Sequence, residues 1–284
     1  MKLIKNVQFQ QLLNLLLLIY LAFANHTLQT SLVMVLVLSF YAGAFELLLN
    51  RKFYAPYSAA ITALGVVLML GWLVWFIPFI AIAAAIIQKR YLKIDGPHIF
   101  NPSNFALIFA LALFYPKALP IVGELGRESF VLYTVLVIGA LILVRVNRFA
   151  ISLSFLLSYT FLSYLLIGQS DPAWTLEHFI DSLYSSSFVV YILFMLTDPV
   201  TTPKRVGQQL LFGFFVALLS VGLDYTIGVR LWHMFIALFL VMALTLPLFR
   251  GLKDREWLKY SLAVLFSLTL TVIITLHKPL YFSM

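Results

Sequence analysis

Two stretches of this sequence carry residues whose types and spacing can do chemistry. The first, Gly96 to Leu107, reads GPHIFNPSNFAL; the second, Thr197 to Pro203, reads TDPVTTP and runs into Lys204 and Arg205. Both are turn-rich, poor in charge at their centres, and set deep inside an apolar chain. Gly96 and Pro97 break whatever helix precedes them. Asn101-Pro102 predicts a new helix start, because Asn caps and Pro at the first helical position loses no useful N–H. A helix N-terminus bears exposed N–H groups and partial positive charge, so Asn101, Ser103 and Asn104 can hold an electron-rich ring edge or a phosphate. Phe100 and Phe105 can cover a ring face, and His98 can donate to a ring carbonyl or relay a proton. Asp198 closes an apolar helix, where a carboxylate is costly unless capped, paired or solvated. It can cap the next turn with Thr201 and Thr202, pair with Lys204 or Arg205, or serve a cation or proton. Lys204 and Arg205 can also hold a phosphate. Every one of these residues also has an ordinary use: capping, packing, or an interfacial histidine.

Other polar residues carry weaker signals. Glu46 lies in an apolar segment about one turn from Arg51 and is expected to snorkel or pair there. Asn14 is expected to bond a neighbouring helix. Glu177, His178 and Asp181 sit at helical spacing, but one helix without an open position is a poor metal site, and no metal centre is expected. Ser182, Ser185, Ser186 and Ser187 read as small residues at a helix contact. Trp72, Trp75, Trp174, Trp232 and Trp257 fall near predicted helix ends, as in an interfacial belt. No nucleotide-binding glycine loop, catalytic triad or His-Glu-x-x-His is present.

The elements that must position these residues are membrane helices. The chain has 284 residues, 63% hydrophobic and only 11% charged, against roughly half and a quarter in soluble domains. The fold expected is all-α, a polytopic transmembrane bundle of about 10–11 segments forming one membrane domain over 1–284. The predicted spans are 9–25, 30–49, 57–71, 73–88, 102–115, 129–146, 149–167, 178–196, 206–223, 230–249 and 257–276, the fifth being short for a crossing. The chain has no cysteine, which excludes disulfides, Cys-ligated iron–sulfur clusters and c-type haem. Its net charge of +8 is spread over short loops and is no sign of nucleic acid. Met1 to Ala24 resembles a signal peptide, but a retained first helix is the reading adopted.

Taken in order, the basic loops alternate. Lys2, Lys5, Arg51, Lys52, Lys89, Arg90, Lys93, Arg145, Arg148, Lys204, Arg205, Arg250, Lys253, Arg255 and Lys259 fall on one side. Lys117, Arg127, Arg230 and Lys278 fall on the other. The richer side is expected to be cytoplasmic, with the N-terminus inside. The two breaks, each near a basic pair, suggest two related halves, about 1–145 and 146–284, with broken helices around a shared site. Inverted repeats would put equivalent breaks on opposite faces, whereas this parity puts both on one.

At these breaks the sequence resembles the D subunit of Rnf-type electron-transport complexes and its relative, the B subunit of the sodium-pumping NADH:quinone reductase. The resemblance rests on Phe100-Asn101-Pro102, on Phe194-Met195-Leu196-Thr197-Asp198-Pro199-Val200-Thr201 with Pro203, on Gly207 to Gly213, and loosely on Ala243 to Leu248. Order and spacing agree from about Ile82 to Arg250. It implies a flavin-handling membrane subunit of two related halves that passes electrons with partner subunits. The family's Ser-Gly-Ala-Thr motif, which carries covalent FMN, is absent. Gly168 to Leu176 stands in its place with Thr175 as the only threonine, so no covalent flavin is expected there. The family's Gly-Glu-Thr motif is also missing. The chain is thus similar to the stand-alone homologues found beside biosynthetic operons such as enediyne clusters.

These observations lead to an integral membrane subunit of an Rnf/Nqr-like electron-transport system. It would hold FMN or riboflavin non-covalently through His98, Phe100, Asn101, Ser103, Asn104, Asp198, Thr201, Thr202, Lys204 and Arg205. Its expected surroundings are the lipid bilayer of a bacterial inner membrane and other redox membrane subunits, with no nucleic acid. The competing readings are a small-solute or ion transporter or channel on the same broken-helix fold, and a non-redox membrane scaffold.

Overall fold

Leucine-rich segments that are apolar on every side form helices buried in lipid or in protein, because an aqueous face would need a polar stripe. A computed structural model of the chain describes residues 6–52, 57–121, 123, 125, 130–169, 175–228 and 232–276. The predicted signal-like Met1–Lys5, the residues 170–174 before Thr175 (Trp174 among them), and Arg127, Arg230 and Lys278 lie outside these. The helices are α1 (Val7–Ala24), α2 (Leu32–Asn50), α3 (Ser58–Met69), α4 (Ile77–Tyr91), α5 (Pro102–Phe114), α6 (Phe130–Arg145), α7 (Phe149–Ser163), α8 (Leu176–Leu183), α9 (Ser186–Val190), α10 (Val206–Ile227), α11 (His233–Leu244), α12 (Leu246–Arg250) and α13 (Trp257–Leu276). Helices α7 and α9 run on as π-helical turns, Tyr164–Gly168 and Tyr191–Met195.

Five of these are long and apolar enough to cross a membrane unaided: α1, α2, α7 with its π turn, α10 and α13. Their outer faces are exposed apolar side chains such as Phe40, Leu48, Leu157 and Leu265, which suit hydrocarbon. The shorter apolar helices α3, α5, α9 and α11 are largely buried. With 13 residues, α5 spans about 20 Å at 1.5 Å per residue, well short of a hydrocarbon core of about 30 Å. The remaining depth is made up by extended backbone.

That extended backbone adds one short β pair to a mostly helical fold. Strand β1 (Leu70–Trp72), which follows α3, pairs antiparallel with β2 (Ala118–Pro120), which follows α5, with Leu70 opposite Pro120 and Trp72 opposite Ala118. The pairing continues outward: Ile121 N–H donates to Met69 O, Leu73 N–H to Lys117 O, Ser186 N–H to Gly123 O and Leu125 N–H to Tyr184 O. The Ser187 hydroxyl donates to Ile121 O. Unpaired backbone at membrane depth is too costly to persist, so irregular segments survive only where protein satisfies them. These three segments satisfy one another.

The structure also divides two predicted spans. The stretch 178–196 is two helices, because Tyr184 and Ser185 leave the helical path and Ser185 caps α9 through the Phe188 N–H. The stretch 230–249 breaks at Thr245, ahead of Pro247 at the start of α12. Asn14 behaves as expected, its side-chain amide donating to Val135 O on α6. Trp75 and Trp257 are exposed, as a belt requires, whereas Trp232 is buried against Tyr115. Gly213 lets α10 approach α7 backbone to backbone: a Cβ there would lie 2.6 Å from Ile151 O and 3.0 Å from Phe155 N. Small residues permit such crossings where lipid supplies no hydrophobic drive.

Candidate functional site

The two breaks meet. After α4 the chain makes a tight reversal in which Asp95 and Gly96 take positive φ (51° and 104°). Ile94 N–H bonds Pro97 O and Ile99 N–H bonds Leu92 O. The Gly96 conformation is one that L side chains rarely adopt, and only glycine enters it without strain. The reversal brings Asn101 to the N-cap of α5, where its Oδ1 accepts from the Ser103 and Asn104 N–H groups, both at 3.1 Å, as its position before Pro102 implies.

The second break is built around Asp198. Its Oδ1 accepts from Val200 N–H at 2.9 Å, and its backbone carbonyl accepts from the Thr202 hydroxyl. The Asn101 side-chain amide reaches across to Asp198 Oδ2 and to Phe194 O, each at 3.4 Å, and His98 Nε2 lies 3.8 Å from Asp198 Oδ2. Burial alone would raise the Asp198 carboxyl. The His98 ring, the Val200 N–H and the Thr201 hydroxyl outweigh it and hold the group below its ordinary value. Arg148 fixes the outer wall, donating from Nε to Thr202 Oγ1 at 2.9 Å and from its NH2 to Pro199 O at 3.2 Å.

Between the breaks lies a cavity of about 270 Å³. Its polar lining includes Gln8, Gln11, Ser58, Thr62, Lys89, His98, Asn101, Ser103 and Asp198, and its apolar walls include Leu15, Ile61, Val190, Phe194 and Met195. Lys89 is the unexpected lining residue, with Glu46 beside it. Lys89 is 2% exposed and Glu46 0%. The ammonium donates to Thr62 Oγ1 at 2.8 Å and Ser58 Oγ at 3.0 Å, and lies 3.9 Å from Glu46 Oε1. This corrects the sequence-based pairing of Glu46 with Arg51.

The predicted site residues therefore separate. His98, Asn101, Ser103 and Asp198 line the cavity. Asn104 is fully buried, but its amide donates to Phe235 O on α11. Phe100 packs against Phe105 and Phe239 with centroids at 5.7 and 4.4 Å, inside an aromatic core. Thr201 and Thr202 support the Asp198 turn. Lys204 and Arg205 are exposed and line a separate surface groove of about 640 Å³ with Asp95, Pro97, Pro203 and Phe249.

Sequence reasoning missed Ser58, Thr62, Lys89, Glu46 and Arg148, of which the first three line the cavity. It also missed a part-buried contact at α11, where the Tyr159 hydroxyl lies 2.9 Å from His233 Nε2 with the rings stacked. For Lys89 and Glu46 a signal existed. Lys89 continues the buried stripe of Ile82, Ala85 and Ile86, and Glu46 continues Val35, Leu38 and Ala42, at helical spacing in both cases.

Residues 119–256 match the NQR2, RnfD, RnfE family. The matched region takes in the Asp198 break and α6 to α12, and stops short of Phe100-Asn101-Pro102. No curated protein matches the chain. Chemically, the cavity offers one ammonium, one imidazole, one carboxylate and several neutral donors at a single ring-sized space, with apolar walls on either side.

Proposed function

We propose, from the premise that residues 119–256 form a domain of the NQR2, RnfD, RnfE family, that the chain is a membrane subunit of an Rnf/Nqr-like electron-transport system. In this reading it holds a flavin non-covalently in the cavity between the two breaks. Members of the family bind flavin and belong to multi-subunit Rnf/Nqr complexes. The observation that carries the reading is the convergence of Asn101, His98 and Asp198, from separate breaks, on one cavity.

The residues present fit the ring of such a group. Ile61, Phe194 and Met195 offer apolar faces, and the donors of Lys89, Asn101 and Ser103, here given to Ser58, Thr62, Phe194 and Asp198, would turn to an electron-rich edge. At about 270 Å³ the space falls just below the usual range of ligand pockets, about 300–1,000 Å³. It suits one ring system and no dinucleotide. A phosphate fits poorly, because Asp198 and Glu46 lie near the one lysine while Lys204 and Arg205 face another groove. Riboflavin is therefore favoured over FMN. When bound, the flavin supplies one-electron chemistry. The chain's own residues hold the ring edge and keep bulk water from it.

The test is direct. The protein purified from riboflavin-replete cells is expected to be yellow, to release riboflavin on denaturation, and to leave no fluorescent band on a denaturing gel. A colourless preparation overturns the reading and moves weight to transport of a small polar solute, which the buried charged cavity beside four short helices would also serve.

The chain is read as a single membrane domain, 1–284, of two halves. Helices α3 and α5 begin at the basic end and α9 and α11 finish there, which supports an inverted relation between halves. The basic end is assigned to the cytoplasm of a bacterial inner membrane by charge. Cysteine placed at Gly251 is expected to resist an impermeant thiol reagent in intact cells, and ready labelling would reverse the orientation.

A further inference from the structure

The groove beside the second break is a separate space from the cavity, and the two share only the wall formed by Pro199 and Val200. Its volume of about 640 Å³ lies well within the range of ligand sites. Its charges do not balance. Among the described residues its single acidic member, Asp95, is already paired with Lys253 at 3.0 Å. Lys204 and Arg205 are exposed and have no acidic partner among the described residues. Gln208 adds a neutral amide beside them. The groove therefore presents two uncompensated cations.

Helix α10 fixes the depth of these cations. Its 22 residues extend about 33 Å at 1.5 Å per residue, enough to cross a hydrocarbon core of about 30 Å. Its first turn, and Lys204 and Arg205 just before it, therefore stand at the level of lipid headgroups. From Gln208 in the groove, Leu211, Phe215 and Leu218 follow at helical spacing on the same face. Leu211 is 49% exposed and Leu218 43%, so this face passes from the groove onto lipid-facing surface. A soluble anion would meet the two cations and leave the apolar stripe unused. A phospholipid uses both. A zwitterionic headgroup would bring its own cation against Lys204 and Arg205, and Asp95 is already spent on Lys253.

We propose that this groove binds the headgroup phosphate of one anionic phospholipid from the leaflet at the basic end. Lys204 and Arg205 supply the counter-charge, Arg205 with the planar fork that suits a phosphate and Lys204 as a point charge. One acyl chain lies along Leu211 and Leu218. Basic pockets between membrane helices hold anionic headgroups in this way. The site is independent of what the cavity holds.

The experiment titrates the full chain, in a mild non-ionic detergent, with phosphatidylglycerol. Bound lipid is counted by native mass spectrometry and thermal unfolding is read beside it. One phosphatidylglycerol per chain is expected to bind in preference to phosphatidylcholine. Excess inorganic phosphate should displace it no more than chloride at equal ionic strength does. Lys204→Gln and Arg205→Gln should each weaken binding about fivefold, and the pair about 25-fold, the worth of one and two basic side chains at a membrane surface. Leu211→Asn should weaken it as well. Arg51→Gln/Lys52→Gln, which removes two other exposed basic residues, should leave it unchanged. The two single variants keep the question answerable if the Lys204/Arg205 pair variant does not fold. Wild-type affinity in the Lys204 and Arg205 variants, or an equal loss in the Arg51/Lys52 variant, overturns the site. Equal binding of phosphatidylcholine, or displacement by inorganic phosphate beyond that by chloride, overturns an anionic lipid as its occupant.

Discussion

Lys89→Met is expected to destabilise the protein by about 3–5 kcal/mol, the cost of stranding one member of a buried ion pair. Both partners are almost fully buried, Lys89 at 2% and Glu46 at 0%, so solvent screens neither. Methionine fills most of the lysine stem's volume, and the loss is therefore electrostatic more than steric. Two further penalties point the same way, since Ser58 Oγ and Thr62 Oγ1 lose a charged donor. Adding Glu46→Gln in the same chain should recover most of the loss, because replacing both buried charges with neutral groups is often tolerated. The check is thermal or denaturant unfolding in detergent for both single variants and the double. A loss below about 1 kcal/mol for Lys89→Met, in the range of an exposed pair, would show that water reaches the pair.

Asn101→Ala and Asp198→Asn are expected to weaken riboflavin binding about five- to over a hundredfold each, the effect of leaving a buried hydrogen bond of about 1–3 kcal/mol unmade. Asn101 both caps α5 and reaches Asp198 Oδ2 at 3.4 Å. If its role were the cap alone, alanine would cost about 1 kcal/mol of stability and leave affinity untouched. Because the two side chains touch, their effects should not add, and the double variant should lose less than the product of the singles. Asp198 also has a pH signature. Its folded value is depressed, so its stabilisation is complete above the unfolded value of about 3.9 and disappears as pH falls through the folded one. Asp198→Asn should flatten that acid limb. Full riboflavin retention in both singles and the double, with stability alone reduced, would leave the breaks as architecture.

Much of this was legible from residues alone. Gly96-Pro97 and Asn101-Pro102 announced a turn and a capped helix, and both are present because backbone rules act locally. Asp198 followed by proline announced the second turn for the same reason. That Asn101 and Asp198 touch across 97 residues follows from packing that neither stretch encodes by itself. Glu46 was misread because sequence proximity favoured Arg51, whereas the helix turns Glu46 inward to a lysine on α4. Lys89 was counted among loop charges because it sits beside Arg90, yet the helical stripe of Ile82, Ala85 and Ile86 carries it into the protein. The β pair was illegible: Leu70-Gly71-Trp72 and Ala118-Leu119-Pro120 are apolar at every position, and no alternation marks them as strands.

That pairing of extended segments has a consequence for biogenesis. Leu70, Gly123 and Ser186 come from well-separated parts of the chain, and each depends on the others to satisfy its backbone at membrane depth. At about 5–20 residues per second, the Ser186 segment leaves the ribosome roughly ten seconds after β1. During that interval α3 and α5 must wait, incompletely bonded, at the insertion machinery or in a partly hydrated cleft. Insertion of the first half is therefore not its completion, and the final seal is set by the second half's arrival. Mutations between Tyr184 and Ser187 would be felt first as slow assembly and proteolysis of the newly made chain, before any change in ligand binding.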